Sequence, residues 1–598
     1  MFGCSRGRLA GVLLLWCLQP VAVWAASNQL ARHPSPYLAL HGQDPVAWQE
    51  WNAETVARAK RENKLLFVSV GYFACHWCHV MQRESYKNQQ IAAILNRDYI
   101  PVKVDRELNS GLDDALQNFA ARLIGASGWP LNAFVTPEGH PAYVVLYAPP
   151  EDFRKLLTQL SARWASDKAG IRRLAMQAMQ PTVPKPASAP LTTDRTARAS
   201  QQFVTSIWQE ADTLRGGFGE VNKFPMAPQM HALLDRQAQQ PDAKLAEFLR
   251  LTFDQMATRG MRDHIGGGFF RYTVDPGWDT PHFEKMLYDN AHLASLYQRA
   301  ATILKQPRYR EVARSTLEFM HNEMQDPSGG FYSSTSAVDE AGREGATYLW
   351  DAGELQKRLP ADVFAAAKRV WRLDAARSFD EGYLPGEFRA PTPDERRLLA
   401  EAARVLRPVR LARSLPKDDK MNAGLNGLAL SAFSQAIALD QRYRQRADRV
   451  QQFLLTHLAQ NDRLMKSMAR GKVLPDAELE DYAYVVQGLL DHADATGNVQ
   501  SRKRALQFAS SAWKLFWTDK GWRHEARPLL ATLQSETALA DGALYSPSDI
   551  LILASLRMED QSLRQQALNA ARWRVPGMER DPYTYPTRVR ILSAAPPD

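Results

Sequence analysis

Cysteine is scarce in this chain, with four residues in 598. Two of them, Cys4 and Cys17, lie in an apolar N-terminal stretch, so Cys75 and Cys78 are all that remain beyond it. That excludes the dispersed disulfides that usually staple small exported domains. A zinc ribbon is excluded as well, because it needs a second Cys-x-x-Cys and there is none. Long hydrophobic runs are missing beyond Trp24, so nothing there approaches the ~20 apolar residues of a membrane span. Runs of one charge are missing too. The net charge is +9, but the 74 Lys and Arg are scattered, which serves solubility and does not point to nucleic acid as a partner.

The N-terminal stretch decides how the cysteines count. Arg6 and Arg8 precede an apolar segment from Leu9 to Trp24 that ends in Val-Trp-Ala-Ala-Ser. This is the pattern of a secretory signal peptide over residues 1–26, with cleavage after Ala25 or Ala26. The alternative is an uncleaved anchor, for which about 16 apolar residues is short. Trp16 before Cys17 argues against lipid attachment. The expectation is a periplasmic protein with no stable membrane insertion after cleavage. At 598 residues it should hold more than one domain.

In an oxidising compartment, two cysteines three positions apart close a loop too small to staple a fold, so the expected role is chemical, with an inert pair of buried cysteines as the alternative. They follow Leu65, Leu66, Phe67, Val68 and Val70, a β-rich apolar run broken by Gly71. A helix is expected from Cys78 to Leu95, and its free N–H groups would favour a thiolate at Cys75. Cys75 is then the attacking sulfur, Cys78 the resolving one, and His76 a second positive charge beside them. The other expected elements are a helix from about Trp48 to Asn63, a strand over Tyr99–Asp105 and a helix over Asp113–Ile124. Strands over Leu131–Thr136 and Ala142–Tyr147 follow, then a helix over Phe153–Trp164. Strand, Cys-x-x-Cys, helix and a later proline before a strand make a thioredoxin-like α/β domain over 27–180. Pro130 takes the place of the cis proline, with Trp129 and Trp77 beside it for a substrate chain. The position six before Cys75, where thioredoxins keep a buried acid, is Ser69. Proton handling would fall to His76, His79, Glu84 or water. Cys75-x-x-Cys78-His79 also fits covalent c-type haem, but the strand frame is not needed for haem, and no cofactor or metal is expected.

A proline-rich linker over 181–195 leads into a chain that is helical from 196 to 598. Stripes such as Leu293, Leu296, Tyr297, Ala300 and Leu304 mark buried faces. Glycine–aromatic pairs recur at Gly217-Phe218, Gly268-Phe269, Gly330-Phe331, Gly382-Tyr383 and Gly521-Trp522, with Arg463-Leu464 as a degenerate sixth. Six such units predict an all-α (α/α)6 toroid whose turns share one face. Near those turns lie Asp263, His264, Asp279, His282, Glu284, Asp289, Asp418, Asp419, Lys420, Asn426, Glu480 and Asp481. These are candidates for a carbohydrate pocket, in which two carboxylates could act as acid and base. Solvated loop acids and helix caps are the alternative.

Taken with HPSPYL, CHWCH and GWPLN, the segments KFPMAP, DHIGGGFFRY, PHFEKMLYDNA, GGFY, DDK…NGL and LEDYA resemble the thioredoxin-domain family of spermatogenesis-associated protein 20. The resemblance runs from about Asn28 to the end and implies a thioredoxin-like domain fused to a six-hairpin toroid similar to N-acylglucosamine 2-epimerases. This chain departs from the family at Phe270, Ser334 to Ser336, Leu425, Ser546 to Asp549 and Val144 to Tyr147. The expected function is an exported thiol–disulfide oxidoreductase or redox-sensitive binder, with a protein thiol or disulfide as partner and the toroid selecting it. A sugar epimerase or glycosidase-like enzyme in the toroid, with a carbohydrate ligand, is the alternative. A non-enzymatic interaction module is the third reading.

Overall fold

The computed structural model describes residues 27–179, 189–377, 379–530 and 539–595. The expected signal peptide and most of the expected linker lie outside the described residues. Helix Thr193–Glu210 begins within the linker's expected span, because the Thr192 hydroxyl accepts the Arg195 N–H and caps it.

The N-terminal part is built on α1 (Ala53–Glu62), β1 (Leu66–Gly71), α2 (His76–Met81), α3 (Gln89–Asp98), β2 (Ile100–Asp105), α4 (Ser110–Ile124), β3 (Leu131–Val135), β4 (Pro141–Val145) and α5 (Pro150–Ser166). The strands form one sheet in the order β2-β1-β3-β4, with β1 parallel to β2 and antiparallel to β3. This is the thioredoxin-like arrangement. β1 is central and buried on both faces. Leu66, Val68 and Val70 enter one core and Phe67 the other, at about 1.5–3 kcal/mol per fully buried side chain.

Two expected helices are drawn differently. The one placed from Cys78 to Leu95 begins at His76 instead, with Cys75 as its N-cap, and widens into a π-type turn at Gln82–Tyr86. It then restarts as α3, because the Asn88 side chain accepts the N–H groups of Gln90 and Ile91. The helix expected from Trp48 starts at Ala53, capped by Asn52. Gln49 pairs with the edge of β2 instead, through its N–H to Pro101 O at 2.9 Å.

The C-terminal part is an (α/α)6 toroid. Its inner ring runs through Ala227–Gln239, Leu287–Ile303, Ala423–Ala436, Leu479–Thr496, Pro547–Leu556 and Pro586–Ala594, the last packing back on the first. Each inner helix has an outer partner; Thr193–Glu210, for example, packs on Pro586–Ala594. Five outer-to-inner connections carry small β pairs at Phe218, Phe269, Phe331, Leu464 and Trp522. All five lead to the N-terminal ends of inner helices, so the turns share one face. Gly382-Tyr383 is not a sixth such unit. Tyr383 pairs with Trp350 in an insertion (helices Ala352–Arg358, Ala361–Val370 and Pro393–Leu411) with its own hydrophobic core. The sixth connection, from Gln561–Arg572 to Pro586–Ala594, uses a short helix and no glycine–aromatic pair. Among the described residues no helix is long and apolar enough to cross a membrane.

Candidate functional site

β1 delivers the chain to Gly71, and Tyr72-Phe73-Ala74 turns it into Cys75. The Cys75 Sγ accepts the Cys78 N–H at 3.1 Å, so a sulfur does the work of an N-cap oxygen. Cys75 and Cys78 are joined by a disulfide, with Cα atoms 5.3 Å apart. Gly71 is required here. A Cβ on it would stand 2.8 Å from the Cys78 Sγ. The Trp129-Pro130 peptide is cis. Pro130 is buried, and the Trp129 indole N–H donates to Asp113 Oδ1 at 2.9 Å. Two guanidiniums flank the indole, Arg106 at 4.1 Å and Arg271 at 5.3 Å. Burial pushes the Asp113 carboxyl up to about 6, with Arg106 opposing.

The sulfur pair is buried. Cys75 is 3% exposed and Cys78 1%, whereas Trp77 is 43% exposed and leans on Tyr147 at 5.0 Å. The His76 ring stacks on His282 of the toroid, centroids 5.6 Å apart. Glu344 lies between them, 2.5 Å from His282 Nδ1 and 3.3 Å from His76 Nδ1. Burial lowers the His76 pKa, only partly opposed by Glu344. At neutral pH this imidazole therefore supplies no positive charge to a thiolate, contrary to the expectation from its position. Burial also acts downward on His282, but the hydrogen bond and charge of Glu344 outweigh it and leave that imidazole raised. His79 Nε2 lies 2.8 Å from Phe73 O, and burial holds the ring down at about 4. It braces the turn before Cys75 and does not exchange protons at neutral pH.

The residue that sequence reasoning missed is Lys103. It sits opposite Ser69 across β1 and β2, and its ammonium donates to Ser69 Oγ at 2.9 Å. Aromatic rings surround it, with Tyr86 at 4.6 Å and Tyr37 and Trp48 each at 5.3 Å. Burial pushes its pKa down to about 7. Ser69 and Gly71 lie on one face of β1, and a Cβ on Gly71 would meet the Cys78 Sγ, so Lys103 bonds to the strand face against which Cys78 packs. A lysine in the run Ile100-Pro-Val-Lys-Val was the available signal, since a strand buried on both faces has no water for an ammonium.

The toroid residues expected to line a sugar pocket are mostly consumed by structure. Asp263 caps Ile265 and Gly266 and pairs with Lys285 at 2.7 Å; that lysine and Arg410 hold its carboxyl below the usual range against burial. Asn426 clamps the Phe331 backbone, accepting its N–H at 2.7 Å. Asp481 accepts the Gly424 N–H at 3.0 Å, and Glu480 and Asp481 share Lys466. His264 lies 3.2 Å from Arg259 O, and burial pushes its pKa down to about 4. Asp279 stands 3.7 Å from Arg259. Asp419 has one oxygen without a partner.

The remainder meet the thioredoxin-like part, which sits on the turn face. The Lys420 ammonium is buried among Asp418, Asp105 at 3.1 Å and Glu107 at 3.0 Å, the last two from the other domain. Ser110 donates its N–H to Glu478 at 2.9 Å. Arg271 meets the Tyr72 hydroxyl next to the sulfur turn, with Glu284 3.7 Å away. Burial raises Glu284 and pushes Asp289 up to about 8, against the pull of Arg271. What remains open between Arg106, Tyr288, Asn422, Glu480 and Asp481 is about 20 Å³, the scale of one water and not of a sugar ring.

A family model described as Thioredox_DsbH, protein of unknown function (DUF255), matches residues 27–182. The chain is 32% identical over 557 residues to spermatogenesis-associated protein 20 of Homo sapiens, covering 83% of this chain and 70% of the relative. It is 30% identical over 568 residues to an uncharacterized Caenorhabditis elegans protein, covering 85% and 78%. Among solved structures, a D-mannose isomerase matches at TM-score 0.42 and 10% identity, over 64% of this chain and 86% of that one.

Proposed function

The chain belongs to the family of spermatogenesis-associated protein 20, and from that premise we propose that it is an exported thiol–disulfide oxidoreductase acting through Cys75 and Cys78. The carrying observation is the disulfide itself, set at a strand-to-helix turn with its first sulfur accepting a helix N–H. In the reducing direction, the Cys75 thiolate attacks one sulfur of a partner disulfide, forming a mixed disulfide and expelling a partner thiolate. The Cys78 thiolate then attacks the Cys75 sulfur and releases the second partner thiolate. Two electrons have passed to the partner and the pair is left oxidised; the oxidising direction is the reverse. Lys103 takes and returns the proton of Cys78, in place of the buried acid that Ser69 lacks.

Cys78→Ser, expressed in the native exporting cell, should accumulate mixed disulfides through Cys75, resolved by reductant on a non-reducing gel. Cys75→Ser should accumulate none. Equal yields from the two variants would remove the proposed division of roles.

Entry of a partner to the buried pair calls for the toroid segment around Glu344 to draw back, because its carboxylate ties His76, the residue after Cys75, to His282. Glu344→Gln should lower the His282 pKa, read by NMR titration, and speed reduction of the disulfide by a small thiol. Unchanged reduction despite a shifted His282 would show that this contact does not guard the pair.

A further inference from the structure

The inner ring encloses a second space, at the end remote from the sulfur pair. Its wall comes from the middle and C-terminal halves of Leu287–Ile303, Ala423–Ala436 and Leu479–Thr496, closed by Tyr545 and Arg590. The cavity measures about 620 Å³, within the range of small-molecule sites. It opens past Thr302 and Ala438, both exposed at its rim. None of the polar residues singled out on the turn face reaches it.

Three side chains of this wall carry unpartnered polar atoms. His292 is 4% exposed, and neither of its ring nitrogens has a partner. Gln298 Nε2, further along the same helix, and Gln487 Oε1, on a facing one, are also unpartnered. Buried polar groups left unpaired cost stability, so three such side chains around one cavity point to a ligand that pairs with them. The charges nearby are already matched. Arg299 and Arg590 share Asp235, and Arg557 lies 2.8 Å from Asp491 and 2.7 Å from Asp494. Each of the three guanidiniums thus already has a carboxylate partner, with Asp494 held by Arg502 as well. Burial pushes the His292 pKa down to about 3, so the ring is neutral and offers one donor and one acceptor. With an amide N–H and an amide carbonyl beside it, the free set is mixed in the way hydroxyl groups are, each of which both donates and accepts. The Tyr545 ring, 4.4 Å from His292, adds an aromatic wall.

We propose that this cavity binds a small uncharged polyhydroxy compound of mono- or disaccharide size. Isothermal titration of the full chain with glucose, mannose, N-acetylglucosamine and cellobiose tests it, with phosphate and spermidine as charged probes. At least one neutral sugar should bind saturably. His292→Ala and Gln298→Ala should each weaken it about tenfold or more. Thr302→Trp, at the exposed rim, should block entry while leaving the melting temperature unchanged. The proposal is overturned if no sugar saturates, if a charged probe binds in preference, or if sugar binding survives both Thr302→Trp and Gln298→Ala. Thiol exchange plays no part in this readout, so its result stands apart from the redox reading.

Discussion

Replacing Lys420 with methionine should destabilise the protein by about 3–5 kcal/mol, the cost of leaving buried carboxylates without their cation. Lys420 has no exposed side-chain surface and holds Asp105 and Glu107 of one domain together with Asp418 of the other. Methionine keeps the packing and deletes the charge, so the loss should appear as undocking of the two domains. Denaturant unfolding measures the size. Limited proteolysis of the newly exposed turn face reports the place. The sign with pH is fixed by the acids. Burial already pushes Asp418 up to about 7, and without the ammonium that carboxyl rises further. The native variant then binds more protons than its unfolded chain, so its deficit should shrink as pH falls from about 8 to 5. A deficit below about 1 kcal/mol, or one that ignores pH, would show that this cluster does not hold the domains together.

Lys103→Met should act in the opposite direction and stabilise the protein at neutral pH by a few kcal/mol. The ordinary lysine value of 10.5 is pushed down to about 7 by burial among Tyr37, Trp48 and Tyr86. Between those two pH values the unfolded chain binds the proton and the folded chain does not. Stability of the parent protein therefore rises with pH across that window, and the full penalty is present below it. Methionine removes both the penalty and the slope. If Lys103 exchanges the proton of Cys78, the same variant should also slow resolution of the mixed disulfide, a loss that added stability cannot explain. Parallel pH–stability curves for the two proteins would mean the amine is not desolvated as described.

Much of this was legible in the residues because it depends on neighbours in sequence. The apolar run ending at Gly71, the Cys-x-x-Cys spacing and the proline before β3 are local patterns, and backbone geometry turns each into one structure. The toroid was legible for the same reason, through helical stripes and glycine–aromatic turns. Gly382-Tyr383 misled because a turn signature carries no information about which helices its flanks pack against. Asn426 looked like a pocket residue, yet it clamps Phe331 from 95 positions away, and no local pattern distinguishes those uses.

Sequence alone determined most of the elements, the sulfur pair and the two architectures, since propensity, capping and periodicity act over a few residues. Tertiary structure decided which polar groups have water. Docking the sheet domain on the turn face buried Asp105, Glu107 and Asp418 around Lys420 and left about 20 Å³ between Arg106, Tyr288 and Asn422, while a roomier cavity remained at the far end of the ring. That outcome depends on desolvation, which is a property of everything packed around a side chain and not of the chain on either side of it.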